Sequence, residues 1–102
     1  MWPFNRKAKV VREIKAGVWG KLVQQGVDVD TLTKDVRCVE KAGNANNGAP
    51  VTHVRIFKLS QAAQKGVEIT GWEVFDRHPE LVLFEGYINP ESNQAVIEKR
   101  SA

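Results

Sequence analysis

The sequence predicts an α+β fold: a two-layer domain with a largely antiparallel sheet of four to five strands and one long N-terminal helix packed on one face. Three observations carry this reading. Val10, Val11, Ile14, Val18 and Leu22 recur at helical spacing through residues 6–25 and share an arc of about 120°. Residues 51–59 alternate, with Thr52, Val54 and Ile56 toward one side and His53, Arg55 and Phe57 toward the other. Two turn-rich stretches, residues 42–50 and 89–93, join runs that read as strands, and such hairpin connections make a sheet antiparallel.

The totals agree with one domain. A chain of 102 residues is near the commonest domain size. It can bury over ~60% of its unfolded surface without a metal or disulfide staple. Charged residues make up 26%, close to the usual ~25% of globular domains, which argues against disorder. The longest aliphatic-aromatic run is Leu81-Val82-Leu83-Phe84, far short of the ~20 residues of a membrane span. Cys38 is the single cysteine, and the N-terminus lacks a signal-like apolar stretch, so the expected location is cytoplasmic.

Each element follows from local chemistry. Pro3 makes residues 1–5 an extended arm, and the helix over residues 6–25 ends at Gly26. Gly17 and Gly20 inside it are expected to allow close approach to the sheet or to mark a bend. Asp30 is placed to cap a single turn around Leu32. Residues 35–41 alternate weakly as a strand, and Asn47-Gly48 supplies the positive-φ positions of the next turn. Ser60 is placed to cap a short helix that stops at Gly66, and residues 67–69 form a brief strand. Thr70 and Glu73 fit a capping box, with Pro79 limiting the helix that follows. Residues 80–88 read as a central strand, in which Gly86 marks a bulge or a close contact, and residues 95–99 as the last strand.

Charge is distributed unevenly. Residues 1–21 carry six bases and one acid, against nine bases and eleven acids in the remainder, within a net charge of +3. The basic segment also holds Trp2, Phe4 and Trp19. This asymmetry suggests a non-catalytic binding or adaptor module that contacts a protein partner through its arm and outer helix face. The residues assigned to that contact are Trp2, Phe4, Arg6, Lys7, Arg12, Lys15 and Trp19. A ring at Trp19 covered by its own chain would remove the helix face from this surface.

The alternative is a small-ligand binder or enzyme with a pocket on the sheet face, lined by His53, Arg55, Glu85 and Tyr87. A second alternative is weak nucleic-acid binding, but no helix-turn-helix or aromatic-basic strand motif is present. A membrane surface is disfavoured because the valine stripe belongs to the core. Self-association is open, although Glu98-Lys99-Arg100 would guard an edge strand. Asp76 and His78 could pair as carboxylate and imidazole, and Cys38 could face His53 across the hairpin. No nucleophile motif, paired metal-ligand spacing or phosphate-loop ending accompanies them, so no catalytic residue, metal or cofactor is assigned.

Overall fold

The computed structural model describes residues 10–92 and 94–100. The expected arm at residues 1–5 lies outside them. The chain forms strand β1 (Arg12–Glu13), helices α1 (Ala16–Gln24) and α2 (Val29–Lys34), strands β2 (Val36–Asn44) and β3 (Pro50–Lys58), and helices α3 (Leu59–Gln64) and α4 (Val74–Arg77). A single 3-10 turn (Pro79–Leu81) precedes β4 (Phe84–Ile88) and β5 (Ala95–Lys99). The five strands lie in sequence order, and every neighbouring pair is antiparallel. Among the described residues no helix is long and apolar enough to cross a membrane.

The long N-terminal helix is not formed. Arg12 and Glu13 pair with Cys38 and Arg37 on β2, and the helix begins only at Ala16. Lys15 is extended, with φ −69° and ψ 148°. Val10 and Val11, which belong to the expected helical stripe, precede the strand as bend residues. The pairing of Arg12 and Glu13 covers the start of the β2 edge. Ile14, Val18 and Leu22 still enter the core, whereas Val10 stays exposed. A Cβ at Gly20 would meet nothing within 4 Å, so this glycine does not bring the helix closer to the sheet.

Directly opposed residues share a face of the sheet. One face carries Val36, Cys38, Val54, Ile56, Phe84, Ile88 and Ile97, buried against Ile14, Val18, Leu22 and Leu32. The other face carries Val39 and Phe57, buried against Ala62 of α3, Phe75 of α4, Leu81 and Val82. The expected two layers are therefore corrected: elements pack on both faces. The second covering reaches only part of its face, and that shortfall positions the site.

Several local signals fall on other residues than expected. Asp28, not Asp30, caps α2, its carboxylate accepting the Thr31 N–H at 2.8 Å. Ser60 does not cap α3; its N–H and hydroxyl donate to the Asp35 carboxylate at 2.9 and 2.5 Å. Glu73 precedes α4 without any side-chain cap. Val67 and Ile69 pack on the second core as loop residues rather than as a strand. Pro79 suits the first position of a 3-10 turn, so β4 starts at Phe84 rather than near residue 80. Gly48 has the expected positive φ, 86°.

Candidate functional site

Of the expected N-terminal contact strip, the structure describes Arg12, Lys15 and Trp19. Trp2, Phe4, Arg6 and Lys7 lie outside the described residues. Arg12 and Lys15 both turn toward Glu40 on β2, at 3.6 and 3.4 Å. Both cations remain about half exposed, so each pair is worth roughly 0–1 kcal/mol. Their charge is nevertheless directed at their own chain. Trp19 donates its indole N–H to the Ile14 carbonyl at 3.0 Å, and its ring packs against the first core. The outer face of α1 is left with Val23 as its exposed aliphatic residue.

The sheet-face residues come together. The β3–β4 register sets Arg55 opposite Glu85 and His53 opposite Tyr87, so all four side chains share the partly covered face. His53 crosses over Gly43 of β2: a Cβ there would lie 2.6 Å from the imidazole Nε2. Its ring meets Tyr87 edge-on, with centroids 6.4 Å apart and planes at 69°. The imidazole thus lies diagonally across to Gly43, with Lys41 directly opposite it on β2 and Tyr87 opposite it on β4. Tyr87 in turn stands opposite Val96 of β5, and both are exposed.

The flanking row is polar. The Arg55 guanidinium stacks 4.3 Å from the centre of the Trp72 ring. Its Nη1 donates to the Trp72 carbonyl and to Asp76, each at 3.1 Å. Its Nε is buried and has no hydrogen-bond partner among the described residues. Glu85 accepts from Arg100 at 3.2 Å rather than from Arg55, and Glu98 stands directly opposite Glu85. Sequence reasoning missed Trp72, Asp76, Arg100 and Val96. Alternation places Val96 on an outward face, but Trp72 and Asp76 arrive through folding of α4 over the sheet, which has no local signature.

The two candidate side-chain pairs, Cys38 with His53 and Asp76 with His78, are not formed. Cys38 is buried on the face opposite His53, so the two do not meet. Burial, reinforced by Glu40, pushes its thiol up to about 11. The thiol form is therefore favoured by folding, and its stabilisation is complete below the ordinary value of 9.0 and lost as pH rises toward about 11. We expect an aromatic disulfide reagent at pH 8 to react with the folded protein far more slowly than with the unfolded chain. Equal rates would place Cys38 at the surface. Asp76 pairs with Arg55, not with His78, whose Nδ1 lies 3.5 Å from Glu80. The Glu80 carboxyl is held below its ordinary range chiefly by its own backbone N–H, with Lys65 at 3.3 Å adding to this. Among the described residues no group of three or more histidine, cysteine or acidic side chains could hold a metal ion.

The cavity lined by His53, Arg55, Trp72, Glu85 and Tyr87 is shallow, about 200 Å³. Ligand pockets usually measure ~300–1,000 Å³ and enclose most of their ligand. What the geometry offers is a ridged surface: an aromatic-aliphatic row across β3, β4 and β5 beside a row of paired charges. Comparison with known proteins returned no matching family model, no similar curated protein and no similar solved structure.

Proposed function

We propose that this chain is a non-catalytic protein-binding module whose contact surface is the uncovered part of the sheet face, with the cytoplasm as its place of action. The observation that carries the proposal is the row His53–Tyr87–Val96, contributed by three adjacent strands, in which His53 is half-buried and Tyr87 and Val96 are exposed. Surface tyrosine and its aromatic neighbours are the residue types that anchor interfaces, because a rigid ring contributes area at little entropic cost. The His53 ring lies over Gly43, in space that a β-carbon there would fill.

The class of partner follows from charge. Lys41, Arg55 and Arg100 border the row together with Asp76, Glu85 and Glu98, three bases against three acids. A balanced border does not attract a polyanion such as nucleic acid or an anionic membrane, but it suits a protein surface of mixed charge. The shallow cavity weakens the small-ligand reading at His53, Arg55, Glu85 and Tyr87. The original docking strip at Arg12, Lys15 and Trp19 loses support because each of those side chains is engaged by its own fold.

Substitution separates the two surfaces. Tyr87→Ala is expected to weaken retention of the protein partner by about tenfold or more, the loss typical of an interface anchor. The pair Arg12→Gln and Lys15→Gln should leave retention unchanged. The reverse pattern would return the contact to the N-terminal strip.

A further inference from the structure

β5 is the outer strand of the sheet, and its backbone polarity can be read from its inner side. Arg100 donates its N–H to the Leu83 carbonyl, and Asn89 donates to the Gln94 carbonyl, at the two ends of the β4–β5 pairing. Hydrogen-bonded pairs alternate along an antiparallel ladder. With Glu85 opposite Glu98 and Tyr87 opposite Val96, the residues whose backbone groups point toward β4 are Gln94, Val96, Glu98 and Arg100. The Val96 carbonyl confirms the phase, since it points directly at Gly86. The N–H and C=O groups of Ala95, Ile97 and Lys99 therefore point away from the sheet.

We propose that two copies of this chain pair antiparallel through β5, with the two-fold axis at Val96, so that their sheets become continuous. Side chains select this register among those that match the outward backbone groups. An axis at Glu98 or at Lys99 sets like charges directly opposite one another, which is destabilising. An axis at Ile97 sets the half-exposed Val96 against Glu98, and an axis at Ala95 sets it against Gln94. An axis at Val96 sets Val96 against Val96 of the second copy, Ala95 against Ile97, and Glu98 against Gln94. This register covers aliphatic surface that is 45% exposed in one copy, and it opposes no like charges. The charges at the end of the strand do not guard against it: Arg100 is held by Glu85, and Lys99 lies on the opposite face from Glu98. The row His53–Tyr87–Val96 then runs on into its own image across the axis, which doubles the length of the exposed strip.

The pairing does not depend on whether the sheet face takes a separate partner. Sedimentation analysis of the purified chain and of two Val96 variants tests it. The wild-type protein should reach a concentration-dependent dimer. Val96→Glu and Val96→Lys should each weaken the dimer by about tenfold or more, because each sets like charges on the axis. An equimolar mixture of the two variants should recover the dimer, since Glu and Lys then face each other. Val96 is half exposed, so both variants should keep the wild-type far-ultraviolet circular dichroism. A wild-type protein that stays monomeric at all concentrations would overturn the proposal. So would a mixture no tighter than its components, or a Val96→Lys variant that pairs as well as wild type, as an axis at Ile97 would give.

Discussion

Gly86→Ala is expected to cost about 3 kcal/mol, the upper range for forcing atoms into a filled site, and to lower Tm by about 12 °C or more. Gly86 lies in β4 opposite Ile97. A Cβ built there would overlap the Val96 carbonyl oxygen and lie 2.8 Å from Val96 C and 3.0 Å from Ile97 Cα. All three are backbone atoms, so no side-chain rotation relieves the clash. The strands must part, which strains the β4–β5 ladder and draws Ala95 and Ile97 out of the first core. The register through Gly86 is regular, so close strand approach rather than a bulge explains the residue. Urea unfolding measures the effect. A cost below about 0.5 kcal/mol, the range of ordinary surface changes, would contradict this strand spacing.

Phe57→Ala carries the other large effect, about 3–5 kcal/mol. Phe57 is 0% exposed, and its ring centre lies 5.2 Å from that of Phe75 on α4. Truncation leaves a cavity between β3 and the covering elements, because the β-sheet backbone cannot collapse to fill it. The consequence reaches the site. α4 and the turn before it supply the Trp72 carbonyl and the Asp76 carboxylate that fix Arg55, so a loosened α4 frees the guanidinium and its stack. We expect loss of the near-ultraviolet tryptophan signal together with the drop in unfolding free energy. A cost under about 1 kcal/mol would mean that the second face is not packed as a core.

The parts of this fold legible in the sequence are those decided by neighbours in the chain. Thr52 to Phe57 alternate because one strand has two different sides. Residues 95–99 form the last strand at the expected bounds. Gly48 takes positive φ because a tight turn requires it. The α2 cap is misplaced by two residues on local chemistry alone, but the larger misreadings come from a partner far away in the chain. Residues 10–13 continue a helical stripe until β2 is present to receive Arg12 and Glu13 as a strand. Ser60 resembles a cap until Asp35 takes both its N–H and its hydroxyl. Leu81 and Val82 read as strand because a buried 3-10 turn against a second core has the same apolar composition.

The site divides the same way. Period-two alternation puts His53 with Arg55, and Glu85 with Tyr87, on common faces. The register that sets Arg55 against Glu85 and His53 against Tyr87 is a property of the assembled sheet. Arg55 and Glu85 do not pair despite facing each other, since Asp76 and Arg100 reach them first. Trp19 shows the opposite limit. Its place on the outer side of a helix argues for exposure, but the indole N–H finds the Ile14 carbonyl across the turn that enters α1.

The central claim is that the bare row on the sheet, and not the basic N-terminal strip, is where this protein meets its partner. Photo-crosslinking from single positions in the living host tests this most directly, with a benzophenone side chain in place of Tyr87 in one protein and of Lys15 in another. Crosslinks to a distinct protein from position 87 and none from position 15 are the result expected. Crosslinks from position 15 with none from position 87 would contradict it.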